Sequence, residues 1–208
     1  INMKKIKLLT LVALGLMLMY GCKDVQEQQP VQSFDEIVAS RRSVRNYDAS
    51  KTISEEQVAD LIMTAMEAPS WANQQPTKYY VAIDPEKVAA IKDLIGEGNK
   101  RNTAGAPVMI VSTYIKSRSG FFRGQAANEI GEGWGAYDNG LSNAFFILKA
   151  RESGFDTLIM GMRDSDALRN LLDIPEDECI MAVISLGYRA LDPVRPARKP
   201  LNEVVNFF

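Results

Sequence analysis

The chain has 208 residues, of which 46% are hydrophobic and 24% charged, the composition of one globular domain with a real core and not of a disordered chain. Lysine and arginine total 24 against 26 acidic residues, so there is no basic excess of the kind a nucleic-acid surface needs, and the expected partner is a small molecule. No histidine is present, which excludes Ser-His and Cys-His catalysis and the histidine-bearing metal sites, and no metal centre is expected.

Met3 reads as the natural start, with Ile1 and Asn2 a start-site artefact. Lys4, Lys5 and Lys7 form a basic leader, and the uncharged run 8–20 is shorter than the ~20 apolar residues a spanning helix needs. Residues 1–21 therefore read as a signal peptide. Leu18-Met19-Tyr20-Gly21-Cys22 resembles a bacterial lipobox, in which a small residue precedes a cysteine that is lipidated and becomes the mature N-terminus. This implies a lipid anchor at Cys22 and a place in the cell envelope, facing the periplasm or the exterior. Cys179 would then be the sole remaining cysteine, and its apolar surroundings suggest a small buried hydrophobe. The Gln-rich segment 22–32, interrupted by Pro30, reads as a flexible tether ahead of a domain spanning 33–208.

Within that domain, Ser33 and Glu36 form a capping box ahead of Phe34, Ile37 and Val38, so a short helix leads into an arginine-rich segment. Ser54 and Gln57 repeat the signal before a helix over about 55–66. Segments 79–83 and 107–115 are rich in Val, Ile and Tyr and read as strands, with a helix over 85–95 between them and a third strand at 180–186. A mostly buried central helix is expected over about 138–151, ending at Gly154. The glycine cluster 131–135 lacks the Lys-Ser or Lys-Thr of a phosphate loop and reads as a mobile loop. Without regular strand–helix alternation or a G-x-G-x-x-G turn, an α+β sandwich with a mixed sheet fits this order.

Arg41, Ser43 and Arg45 alternate, so an extended segment would turn two guanidiniums and a hydroxyl to one side. That set suits a phosphate monoester, because guanidinium binds phosphate oxygens in pairs and keeps its charge at any working pH. On these residues alone, solvated charges after a helix are an equal reading. Further along, Asn73, Gln74 and Gln75 cluster primary amides able to bond a heterocycle edge, although Gln74 equally suits a capped turn.

Arg41-Arg42-Ser43-Val44-Arg45-Asn46-Tyr47-Asp48 resembles the Arg-x-Ser-x-basic motif with a following aromatic that opens the nitroreductase family. Ala68-Pro69-Ser70-Trp71-Ala72-Asn73-Gln74-Gln75-Pro76 resembles that family's Pro-Ser-x-x-Asn-x-Gln-Pro block. Segments 137–144 and 154–161 resemble its central helix and following loop, and 186–188 with 195–201 its closing strand and terminal basic segment. One departure is that Thr77, Lys78 and Tyr79 follow Pro76 where the family places Trp and a spacer.

The resemblance implies a three-layer α+β sandwich, its mixed and mainly antiparallel sheet flanked by helices, and FMN as cofactor in a homodimer with shared flavin sites. Arg41, Arg42, Ser43 and Arg45 would hold the flavin phosphate and ribityl chain, with Arg198 completing the grip. Pro69, Ser70 and Asn73 would reach the flavin from the partner subunit. Leu158, Ile159, Met160 and Gly161 would offer backbone amides to the ring, while Trp71, Phe122, Trp134 and Tyr137 are candidate substrate contacts. No side chain is expected to be catalytic, because flavin N5 takes the hydride and passes electrons on by ping-pong turnover. In the family the donor is NAD(P)H and the acceptor a nitroaromatic, quinone or similar molecule. The alternative is a lipoprotein that keeps the fold and binds a flavin or aromatic molecule without turnover.

Overall fold

The computed structural model describes residues 32–208. The expected signal segment 1–21, the lipidated Cys22 and the tether up to residue 31 lie outside the described residues.

Helices α1 (Phe34–Ser40) and α2 (Glu55–Met66) both start from complete capping boxes, Ser33 with Glu36 and Ser54 with Gln57. In each, two backbone amides that a helix start leaves unbonded are satisfied reciprocally. Strand β1 (Thr77–Ala82) is followed by α3 (Pro85–Asp93), which Asp84 caps and Pro85 opens, and by the short α4 (Glu97–Asn102). Strand β2 (Val108–Ile115) leads to a small hairpin, β3 (Phe121–Phe122) and β4 (Gln125–Ala126), and then to the long helix α5 (Gly133–Glu152). Strand β5 (Asp156–Met160), α6 (Ser165–Leu172) and β6 (Glu178–Gly187) complete the domain.

The main sheet runs β1-β2-β6-β5 with every neighbouring pair antiparallel. Side chains alternate across the central strands. Met109, Val111 and Val183 face one way and join Val88, Ile91 and Leu168 of α3 and α6 in one core. Val108, Ile110, Ile184 and Leu186 face the other and join Leu61, Phe146 and Ala150 of α2 and α5. The result is the three-layer α+β sandwich that the motifs implied, with β2 and β6 reading as continuous apolar runs because both their faces are covered.

Three sequence expectations are corrected. Residues 156–160 are not a loop beside the central helix but an edge strand, whose β-forming Thr157, Leu158 and Ile159 are preceded by a buried acid that hides the pattern. The cluster 131–135 is not a mobile loop, since Gly133 and Gly135 lie in the first turn of α5, which starts five positions ahead of the expected Asp138. A Cβ at Gly135 would stand 2.5 Å from the Tyr114 ring, so this glycine permits close helix–strand contact. Cys179, expected to be buried, is partly exposed on β6.

Candidate functional site

Beyond α1 the chain runs extended. Val44 N–H donates to Thr157 O at 3.0 Å, Ser43 bridges Thr157 in parallel, and Tyr47 bridges Arg189. Val44 turns inward, 1% exposed, and Ser43 and Arg45 on either side of it turn outward as alternation requires, while Asn46, at φ 134°, breaks the alternation and lets Tyr47 turn inward too, 3% exposed. Tyr47 is seated by a 2.8 Å hydrogen bond between its hydroxyl and that of Ser185. Burial is the first cause that drives its phenol well above the ordinary range.

The basic groups converge here. Burial, then the charges of Arg198 and Arg42, push the Arg41 guanidinium below its ordinary value. The C-terminal segment therefore brings the charge of Arg198 within range of Arg41 across most of the chain. Among the described residues, Arg41, Arg42, Arg45 and Arg198 form no ion pair. Arg42 donates only to the carbonyls of Ala39 and Arg41, at 2.6 and 2.8 Å, and its Nε is buried without a partner. Clustered, partly desolvated cations lacking carboxylates are suited to an anion. The edge of β5 lies alongside. Past Thr157 this edge has no strand partner among the described residues, leaving Leu158, Ile159, Met160 and Gly161 open to a ligand on that side.

The second motif is a strained turn. Ala72, Asn73 and Gln75 all have positive φ, at 44°, 55° and 47°, which side-chain-bearing residues adopt only when surrounding contacts hold them there. Ser70 Oγ accepts from Gln75 N–H at 2.9 Å, and Gln75 Nε2 donates to Asn73 Oδ1 at 3.0 Å. Trp71 N–H donates to the buried Asp138 carboxylate at 3.0 Å, tying the turn to α5.

Trp71, Trp134 and Tyr137 form one aromatic cluster, with ring centroids 4.7 Å apart for the first pair and 5.7 Å for the second. Phe122 stands apart on the β3–β4 hairpin, 70% exposed with Arg123 over its ring. Beside the strained turn lies a cleft of about 390 Å³ lined by Ala65, Met66, Ser70, Pro76, Tyr79 and Ser142 among others. The hydroxyls of Thr77 and Tyr79, two of the residues standing where the resemblance departs from pattern, are buried there without partners.

Within the chain the two motifs are held apart. The strained turn is held by Asp138 near the start of α5, while the arginine segment is held through Ser40 by Arg151 near its end. At 1.5 Å per residue these anchors stand ~20 Å apart along the helix.

Sequence reading missed the group that seats the arginine segment. Asp156 is 3% exposed and accepts from Arg189 Nε and Nη2 at 2.8 and 2.6 Å and from Arg151 Nη1 at 3.3 Å. Arg189 Nη2 also donates to Ser40 O at 3.2 Å, and Arg151 Nε to Ser40 Oγ at 3.2 Å. The hydrogen bond to Asp156 raises the Arg189 guanidinium further. The available signal was an acid directly ahead of an apolar run, in a position that is 3% exposed only because it is paired.

The family model described as "Nitroreductase family" matches residues 38–106 and 95–188. A relative from Archaeoglobus fulgidus, provisionally named NADH dehydrogenase/NAD(P)H nitroreductase, is 28% identical over 156 residues, covering 73% of this chain and 83% of its own. The NADH dehydrogenase of Thermus thermophilus is 23% identical over 200 residues, covering 85% and 96%. Among solved structures, a provisionally named nitroreductase of Exiguobacterium sibiricum in complex with FMN superposes with a TM-score of 0.76 at 21% identity, covering 86% of this chain and 99% of that one. A nitroreductase family protein of Streptococcus pneumoniae superposes with a TM-score of 0.74 at 22% identity, covering 85% and 100%. The family match spans the arginine segment, the strained turn and the edge strand on a shared fold, and the chain belongs to the nitroreductase family.

Proposed function

We propose that the chain is an FMN-dependent oxidoreductase that moves electrons from a reduced nicotinamide donor to a nitroaromatic, quinone or similar small acceptor. The observation that carries this reading is the group of guanidiniums without carboxylates, Arg41 with Arg42 and Arg198, beside an open strand edge. The donor set fits the cofactor: the buried, partnerless Arg42 Nε and the mutually repelling Arg41 and Arg198 suit a dianionic phosphate. When bound, FMN supplies a two-electron carrier that lets donor and acceptor react in turn at one pocket.

The protein's own part is binding and orientation. Arg41, Arg42 and Arg198 hold the phosphate, and Ser43 and Arg45 project from the same extended segment toward the phosphate and ribityl chain. Backbone groups of Leu158, Ile159, Met160 and Gly161 lie along the ring, where amide dipoles stabilise added electron density. Pro69, Ser70 and Asn73 come from the partner of a homodimer, a reading supported by the ~20 Å between the anchors of the two motifs within one protomer. Trp71, Trp134 and Tyr137 wall the acceptor pocket and exclude water.

The signal-like segment supports a further part of the proposal, that Cys22 is lipidated and holds the enzyme on the cell envelope. Cys22→Ser should then release the protein from the membrane fraction.

The direct test is FMN addition to purified protein, which should give a yellow complex absorbing at about 450 nm. Anaerobic titration with NADH, NADPH and a low-potential donor should bleach that band, and a nitroaromatic or quinone should restore it. Absence of a yellow complex overturns the reading, and a complex that no donor bleaches leaves a binding protein.

A further inference from the structure

We infer that Asp156 is a positioning residue for the anion site. It locks two guanidiniums into the scaffold so that the neighbouring ones meet the phosphate in register. The inference rests on the FMN reading above.

Ser40, the last residue of α1, is gripped from outside by both arginines paired to Asp156. Arg151 Nε donates to its hydroxyl and Arg189 Nη2 to its carbonyl, each at 3.2 Å. Arg41 follows immediately as the C-cap of α1, so the direction in which Arg41 and Arg42 leave the helix is set at the gripped residue. Asp156 holds both grips in place. Its Oδ1 and Oδ2 accept from Arg189 in a bidentate fork at 2.6 and 2.8 Å, and both stand 3.3 Å from Arg151 Nη1. A fork of this kind fixes plane as well as distance. The same strand start holds the segment again one residue on, where Thr157 O accepts from Val44 N–H at 3.0 Å. Strand β5, α1, the end of α5 and the segment after β6 thus meet at one buried carboxylate.

Charge acts in the same direction. Arg151 and Arg189 stand beside a cluster already containing Arg41, Arg42 and Arg198. With Asp156 in place Arg151 is consumed by it and by Ser40, and Arg189 by it, by Ser40 and by the exposed Asp192, so the ligand meets only guanidiniums that have no carboxylate partner. Without it, Arg151 would have no carboxylate and Arg189 only the exposed Asp192, and both would be free to repel Arg41 or to bind the phosphate themselves in a different register.

The test compares FMN with riboflavin, which lacks the phosphate, in fluorescence titrations of the purified full chain. Asp156→Asn should weaken FMN binding by about tenfold or more, the scale of one charge-assisted hydrogen bond set, and leave riboflavin affinity within about twofold. Ser40→Ala and Arg151→Gln, which leave the Arg189 fork intact, should give smaller losses, about threefold, again for FMN alone. These two variants decide the matter should Asp156→Asn not fold. Equal weakening of both flavins would mean a merely structural role and overturn the inference, as would unchanged FMN affinity in a folded variant. Wild-type protein that binds neither flavin would overturn the FMN reading, and this inference with it.

Discussion

The backbone N–H of Trp71 donates to Oδ2 of Asp138 at 3.0 Å, joining a strained turn to a buried carboxylate 67 residues away. Among the described residues this bond is the only polar tie between the turn's backbone and α5, and it holds residues whose positive φ values are unfavourable on their own. Asp138→Ala should therefore lower unfolding free energy by about 1.5–3 kcal/mol, the worth of a hydrogen bond to a charged group. Urea denaturation measures the loss, and Trp fluorescence should shift with it because Trp71 packs on Trp134.

Removing one guanidinium of the anion site should separate phosphate binding from ring binding. Arg41→Ala and Arg198→Ala are each expected to weaken FMN by about tenfold to a hundredfold, the equivalent of about 1.5–3 kcal/mol. Riboflavin affinity should be unchanged, and raising ionic strength should narrow the difference between wild type and variants.

If the site is shared between protomers, two defective variants should complement one another. Arg41→Ala and Asn73→Ala homodimers are each expected to be impaired. Mixed and refolded together, they should recover about a quarter of the wild-type sites, because half the dimers are hybrids and each hybrid has one intact site. Recovery no greater than the average of the two parents would exclude a shared site.

Two glycines give a packing test. A Cβ at Gly187 would stand 2.6 Å from the Tyr47 ring, so Gly187→Ala should cost about 1–3 kcal/mol by overpacking and displace the segment carrying Ser43 and Arg45. Gly98 lies in α4 with nothing within 4 Å of its would-be Cβ, and Gly98→Ala should stabilise by about 0.5–1 kcal/mol. Thermal denaturation of both variants checks sign and size.

Alkaline pH should unfold the protein through its buried phenols. Burial is the first cause raising Tyr47, Tyr79 and Tyr114 above the ordinary phenol range. Such a group stabilises the fold fully below its unfolded pKa of about 10 and loses that contribution as pH climbs toward the folded value. Stability should thus fall above about pH 10, with tyrosinate absorbance rising together with loss of helical signal. Early titration of all seven tyrosines without unfolding would contradict the burial of these phenols.

Local chemistry made much of this legible. The starts of α1 and α2 follow from capping boxes whose partners lie three residues apart, and the outward turn of Ser43 and Arg45 follows from strand alternation. Strand β5 escaped because its first residue is an acid, and an acid ahead of an apolar run reads as a solvated loop until its two arginines are in view. The early start of α5 escaped for a related reason: Gly133 and Gly135 signal a loop locally, and only the Tyr114 ring explains why a glycine sits in that helix.

Spacing along a few turns or one strand was enough for the sequence by itself to determine α1, α2, α3 and the strands β1, β2 and β6, the residue types of an anion site and the family to which they point, whereas α4 and α6 carried no signal read from it. The meeting of Arg198 with Arg41, the grip of Asp156 on Ser40 through Arg151 and Arg189, and the placing of the two motifs at opposite ends of α5 were decided by the tertiary structure alone. Those relationships join residues far apart in sequence, and charge pairing between them depends on which groups folding desolvates together, a quantity that no local pattern encodes.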